Sequence, residues 1–457
     1  MPRRVDSAPK PHRPTVSPRE PRKPEAPKAP ARGWTPAGAL DKALADKRVT
    51  DSEWSRLAPQ LAKTELGSAQ TRQLLEAYAN QGVSFELGAA AQAREVLVDK
   101  GYDIPGRQPG ADGTAVAPQV NLAHITEGNV AEADLVFEKL SARVGGDGDV
   151  RVAIVDGGFV AHPILRDNLE GNAAAATTGK ALGKEFGKFT DLERQQGAHH
   201  GTHVAGIATR GTSRIQASLF AIPLDVPDDP QAKPKSGPSP LPAALEAAAR
   251  SGASVVNVSI ESFVSPAEAE RYRKVMQKYP DTLFVFGAGN DQYELGSATE
   301  GDKSVVESFK LPNMVVVGAS NPDGGRWSRS NYSAKWVDLA TRGHAINSAS
   351  SNGPGLVMES GTSMAAPNIA NLGAKCRLLH PALTPPQVIK LMSVTSDEHH
   401  SWKGVSGSGG PVNAERAMQG AAALALVAKG ATLAQAVAKL GLPAAEQARL
   451  TSALSRL

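Results

Sequence analysis

VRVAIVDGG, residues 150–158, is the stretch whose reading decides the fold. Val150 to Val155 is a mostly apolar, largely β-branched run that ends on Asp156 and two glycines. A run this short and apolar, stopped by turn residues, reads as a strand buried on both faces. Similar runs follow at Leu219 to Leu224, Ser254 to Ile260, Leu283 to Phe286 and Met314 to Val317. Stretches of helical pattern lie between them, such as Pro242 to Arg250 and Pro266 to Tyr279. This alternation predicts an α/β fold, a doubly wound, mostly parallel sheet with helices on both faces. Such sheets carry their sites at the carboxyl ends of the strands, where Asp156 and Asn290 fall.

Working outward, residues 121–420 are assigned to this α/β domain. Residues 104–120 are rich in Gly and Pro and read as a linker. Residues 34–103 place Leu40, Leu44, Trp54, Leu57, Leu61, Leu74, Leu75 and Tyr78 at largely helical spacing, with Asp51-Ser52 and Ser68 as N-caps; they read as a small, all-helical N-terminal unit. Residues 1–33 hold nine prolines and almost no large apolar side chain, so they are expected to be a disordered tail, either simply solvated or a docking arm. Residues 421–457 are Ala-rich and punctuated by Gly430 and Pro443, and read as a C-terminal helical extension.

Bulk properties exclude several function classes. The net charge of +4 is confined to the tail, which carries +6 over residues 1–33 and leaves −2 on the rest. The body therefore offers no electrostatic reason to bind nucleic acid. One cysteine, Cys376, cannot close an internal disulfide; it sits in an apolar stretch and is expected to be a buried structural thiol. No apolar run approaches the roughly 20 residues that span a bilayer. The N-terminus lacks an apolar leader core, so the protein is expected to be made and kept soluble in the cytoplasm, with leaderless secretion as the alternative.

Three short motifs carry candidate chemistry: VAIVDGG at 152–158, HGTHVAG at 200–206 and GTSMAAP at 361–367. A serine hydroxyl is a weak nucleophile unless a base lies in reach and a third group orients that base. With these motifs in the order Asp, His, Ser, the chain resembles the subtilisin-like serine protease family over roughly residues 121–420. FGAGN at 286–290, HPIL at 162–165, SNYS at 330–333 and VDLATRG at 337–343 add to the resemblance.

The resemblance implies a serine endopeptidase with Asp156, His200 and Ser363 as triad and Asn290 as oxyanion donor, acting on protein or peptide substrates through an acyl-enzyme. VVNVSIES, residues 255–262, resembles the family's substrate-pairing strand; with FGAGN it assigns Ser259, Ile260, Glu261 and Gly289 to substrate binding. Glu261 and Ser262 stand where the family usually has glycines. A carboxylate there narrows the pocket, favours a basic side chain, or points into solvent. A catalytically dead relative used as a binding module is the competing class, and the presence of all four chemical groups argues against it.

HHGTH, residues 199–203, also has the spacing of zinc-binding histidines, but His200 stands where a zinc protease needs its Glu, so no metal is expected in catalysis. No cofactor is required; calcium as a structural ion is what the family allows, with loops 225–239 and 291–304 as places for it, although neither shows a calcium motif. Residues 34–103 occupy the position of an inhibitory propeptide but lack its usual α/β pattern. Self-inhibition by this region, or a separate inhibitory partner, is the regulation the resemblance suggests.

Overall fold

Val150–Asp156 is the strand that its apolar run predicts, and it lies inside a larger sheet. The computed structural model describes residues 36–61 except 46, 73–99 except 76 and 79–82, 107–109, 114–116, 130–169 except 147, 181–185, 191–224, 239–297 and 303–457 except 354. The tail, Ser68 and almost all of loop 225–239 lie outside these residues. The strands β1 (Val150–Asp156), β2 (Lys184–Glu185), β3 (Ile215–Ala221), β4 (Val255–Val258), β5 (Leu283–Gly287), β6 (Met314–Ser320) and β7 (Leu339–Arg342) form one sheet. Its order is β7-β6-β5-β4-β1-β3-β2, and every pairing is parallel.

The helices beside it, in chain order, are α1 (Val130–Val144), α2 (Asp191–Thr209), α3 (Leu241–Arg250), α4 (Pro266–Lys278), α5 (Thr362–Leu379), α6 (Pro385–Thr395), α7 (Ala414–Ala428), α8 (Leu433–Lys439) and α9 (Ala444–Leu454). Successive strand residues point to opposite faces. Val152, Ile154, Leu283, Val285 and Val317 enter a core shared with α1, α2, α5 and α7. Ala153, Val155, Val256, Phe284 and Phe286 enter a second core under α3 and α4. Two-sided burial explains why the strands are apolar without alternation; each large side chain so buried contributes roughly 1.5–3 kcal/mol.

The chain runs from β1 to β3 on one side and then returns to β4 on the other side of β1. The connections that leave the paired ends of β1 and β4 therefore diverge, and a crevice opens there. Asp156 ends β1, and Ser259 follows β4.

The C-terminal region is helical, as expected, and packs onto the α/β domain. Residue 420 falls inside α7, and Ala436, Val437, Leu450 and Leu454 of α8 and α9 enter the same core as the sheet. Ala-rich helices look separable in sequence because small side chains carry little apolar signal, yet they allow close packing.

The N-terminal unit has its own core, in which Leu40, Trp54, Leu57, Leu61, Leu74, Leu75, Tyr78 and Phe85 are buried. It is mainly helical, with Pro36–Ala45, Asp51–Leu61 and Leu87–Asp99, but it also holds a four-stranded sheet of Arg48–Val49, Ser84–Glu86, Thr114–Val116 and Gln108–Pro109. Two of these strands come from the stretch read as linker. Arg107 explains their attachment: its buried guanidinium donates to the carbonyls of Ala77, Tyr78, Val83 and Ala115. The N-cap of Asp51–Leu61 is Thr50, in a reciprocal box with Glu53, rather than Asp51. The Asp51 carboxylate instead accepts from the N–H of Ala89 in the next helix.

Candidate active site

Asp156 and His200 meet because α2 lies directly on the turn after β1. A Cβ on Gly201 would stand 2.1 Å from the Gly158 carbonyl oxygen, so only glycine admits this approach. His200 Nδ1 lies 2.8 Å from Asp156 Oδ1, which also accepts from Gly157 N–H at 2.7 Å. Asp156 is fully buried, while the His200 side chain keeps an exposed edge. Desolvation pulls the His200 pKa down, but the charge and hydrogen bond of Asp156, with a smaller contribution from Glu359, outweigh it and leave the pKa above its ordinary 6.5.

Ser363 is set up by α5. Every residue of Thr362–Leu379 is buried except Ser363, which alone reaches the surface of the crevice. It lies in the first turn, where backbone N–H groups have no partner within the helix. Asn290 is locked beside it: Oδ1 accepts from Thr362 N–H at 2.8 Å and from Thr362 Oγ1 at 3.2 Å. With Oδ1 committed to those donors, the Asn290 amide NH₂ is turned away from Thr362. Asn331 shapes the loop that carries it, accepting from the N–H groups of Asp291 and Tyr293 and donating to Ala288 O. The crevice thus presents a nucleophile-type hydroxyl, an oriented imidazole and two donors that can face a developing oxyanion.

Among the described residues, no hydrogen bond joins His200 to Ser363; Ser363 Oγ donates instead to Ser259 O at 3.1 Å. Pro367 is the sixth residue of α5, beyond the first turn, so it leaves the Ser363 carbonyl without its helical donor. Ser259 Oγ supplies that donor at 2.8 Å and is itself held by Asn257 Nδ2 at 3.0 Å. The Ser259 side chain is therefore turned inward and buried. Of the residues assigned to substrate binding, Ser259 offers the crevice its backbone only.

Ile260 is partly exposed after β4. Glu261 is exposed, yet its carboxyl leans across the crevice over Gly289: a Cβ on Gly289 would stand 2.6 Å from Glu261 Oε1 and 2.3 Å from Asn331 Nδ2. Gly289 has φ +99, a second reason it must be glycine. Desolvation, then the Asp291 carboxylate by charge and hydrogen bond, then Glu307, push the Glu261 pKa up to about 7. The outer edge of Glu261 is exposed, so water tempers this shift.

On the other side, the hairpin of β8 (Ile346–Ala349) and β9 (Leu356–Glu359) closes over α2. His199 Nε2 lies 2.9 Å from Glu359 Oε1. His203 Nε2 lies 3.0 Å from both Ile346 O and Val357 O; burial pushes its pKa down to about 4, and the neutral ring pins the two hairpin strands. Among the described residues, no group of three or more His, Cys, Asp or Glu could hold a metal ion. Residues 298–302 of the second calcium-candidate loop lie outside them, as does most of the first. Cys376 is buried in α5, and desolvation pushes its thiol up to about 12, so it is inert.

The family described as the Subtilase family matches residues 147–423, more than half of the chain. The chain belongs to the subtilase family.

Among curated relatives, this subtilase is 28% identical over 267 residues to Subtilisin-like protease 10 of Trichophyton verrucosum, covering 56% of this chain and 45% of the relative. It is 29% identical over 251 residues to Subtilisin amylosacchariticus of Bacillus subtilis subsp. amylosacchariticus, covering 52% of this chain and 58% of the relative. The chain thus spans about half the length of the curated relatives it matches. A crystal structure of a cold adapted subtilisin-like serine proteinase aligns with TM-score 0.42 and 21% identity, over 57% of this chain and 88% of that one.

The structure brings Asp156 to His200, and Asn290 to Thr362 beside Ser363, across gaps of 44 and 72 positions. Sequence reasoning missed Thr362, Asn331, Glu359 and Asp291 in this subtilase. Thr362 and Asn331 sit inside motifs that had been matched, but their partners are distant in the chain. Among the described residues, no helix is long and apolar enough to cross a membrane.

Proposed function

We propose that this subtilase is a serine endopeptidase in which Asp156 orients His200, His200 takes the proton from Ser363, and Asn290 with the Ser363 backbone N–H stabilises the oxyanion. The observation that carries this reading is the 2.8 Å contact of a fully buried Asp156 with His200, beside a helix whose single unburied residue is Ser363. In the resting arrangement the hydroxyl is parked on Ser259 O. Rotation about the Cα–Cβ bond of Ser363 directs it to His200 Nε2 once substrate enters.

An extended peptide lies along the segment after β4, with its attacked carbonyl between Asn290 and Ser363. His200 accepts the Ser363 proton as the Oγ–C bond forms, then gives it to the leaving amine as the C–N bond breaks. Water, deprotonated by His200, releases the acyl group and restores Ser363. No metal takes part in these steps. Calcium bound in the outer loops would act on stability only. Protein or peptide substrates follow from this chemistry, and self-inhibition by residues 34–103, or a separate inhibitory partner, is the regulation that goes with it.

The test is intact mass after treatment of the full chain with a small fluorophosphonate, beside Ser363→Ala. One adduct on the wild type and none on the variant supports the reading. An adduct that survives Ser363→Ala, or a wild type that takes none and cleaves no peptide, overturns it. The same spectrum reports whether the N-terminal unit has been removed.

A further inference from the structure

The substrate crevice has two walls. One is Ser259–Glu261 after β4; the other is Gly289–Asp291 after β5, and the two strands are neighbours in the sheet. In an extended peptide held at Ser363, the residue that supplies the attacked carbonyl sends its side chain between these walls. Glu261 reaches across that space to Gly289, next to Asn290. Its carboxyl meets Asp291 from the opposite wall, and Glu307 adds further negative charge.

Among the described residues, none of Glu261, Asp291 and Glu307 forms an ion pair. Glu307 is buried and served by neutral donors: Tyr293 Oη at 3.2 Å, Ser304 N–H at 3.3 Å and Gly296 N–H. Among the described residues Glu261 and Asp291 have no comparable donors; they face each other, an arrangement that repels itself when both are ionised. A cation entering between the walls relieves that repulsion and gains a charge-assisted hydrogen bond. An apolar side chain would cover the two carboxyls and return nothing for the lost water.

We propose that Glu261, seconded by Asp291, is the specificity-determining residue of this subtilase and selects a lysine or arginine on the acyl side of the bond to be cut. The proposal rests on the peptidase reading above. Glu261 and Asp291 are exposed and Ser262 partly so, so a long side chain can approach both carboxyls from solvent.

The test uses the full chain and a set of internally quenched peptides that differ only at the acyl-side residue: Lys, Arg, Leu, Ala or Glu. The wild type is expected to cleave Lys and Arg peptides with kcat/KM at least tenfold above Leu and Ala, with Glu poorest. Glu261→Gln is expected to lower the Lys-to-Leu ratio about tenfold or more, with a smaller loss of ratio in Asp291→Asn. A Leu or Ala preference in the wild type would mean that the carboxyl merely fills the pocket, and it overturns the proposal. So does a Lys-to-Leu ratio that Glu261→Gln leaves in place. Both results keep the peptidase reading if the fluorophosphonate still marks Ser363. No adduct and no cleavage of any peptide overturns both.

Discussion

Ser259 and Ser363 hold one another through their hydroxyls: Ser259 Oγ donates to Ser363 O at 2.8 Å, and Ser363 Oγ donates to Ser259 O at 3.1 Å. The first bond exists because Pro367 withholds the N–H that would otherwise serve Ser363 O. A defect in α5 is thereby turned into a tie between the helix and the strand end that lines the crevice.

Removing that tie leaves a buried carbonyl unserved. Ser259→Ala is expected to cost about 1–3 kcal/mol in urea unfolding of the full chain. In a Pro367→Ala background the backbone N–H returns, and the same substitution should cost clearly less. Equal costs in the two backgrounds would rule out the proline as the reason for the bond.

The acid limb of activity should sit high. The proposed base must be neutral, and His200 is held above its ordinary 6.5 mainly by Asp156 against desolvation. Activity should therefore fall as pH drops through a midpoint above 6.5, read from kcat/KM over about pH 5 to 9. Glu359→Gln removes one charge that raises His200 and should move the midpoint down by a fraction of a unit. The stability sign is opposite to the activity sign. Because the folded pKa is raised, protonated His200 stabilises the fold below pH 6.5, and that contribution is lost as pH rises through the folded value.

Asn290→Ala should lower kcat on the order of 10²–10³-fold with little change in KM, a magnitude taken from subtilisin itself and not from this chain. Thr362→Val removes the hydroxyl that donates to Asn290 Oδ1 at 3.2 Å and also accepts from Gly289 N–H at 3.0 Å. It should loosen the same amide and cost turnover without removing the donor. Steady-state kinetics on both variants separates them; a Thr362→Val enzyme with full kcat would show that Thr362 N–H alone orients Asn290.

Gly289→Ala meets two obstacles at once, a left-handed backbone and a Cβ driven onto Asn331 and Glu261. It should destabilise the fold by more than about 1 kcal/mol and displace Asn290, so thermal unfolding and kcat fall together. A stable, fully active Gly289→Ala chain would contradict the described crevice.

Arg107 is the centre of the N-terminal unit, stacked over Tyr78 and Phe85 and bonded to four carbonyls. Arg107→Met should strand those carbonyls, each at a cost of about 1–3 kcal/mol where it stays buried, and so destabilise the unit. Hydrogen exchange over residues 84–97 should speed up while α5 keeps its protection.

The parallel sheet and the candidate triad were legible because both are written in local signals. Val150–Asp156 is apolar on both faces since both faces are buried, and the Asp and His motifs pair a reactive side chain with glycines that allow close approach. The small N-terminal sheet was not legible. Its strands are two or three residues long, too short for any periodicity, and Gln108–Pro109 and Thr114–Val116 are held by Arg107 rather than by an apolar pattern. The inward turn of Ser259 was also hidden, because the partner that needs it lies 104 positions away. By itself, then, the sequence determined the alternation of strand and helix and named Asp156, His200 and Ser363 as candidate reactive groups, since burial on two faces and the chemistry of Asp, His and Ser impose those residue types locally. Only the tertiary structure decided that Pro367 would enlist Ser259 and that Glu261 would cross to Gly289 and Asp291, because such contacts depend on which strand ends become neighbours, and that is set by the packing of the whole sheet.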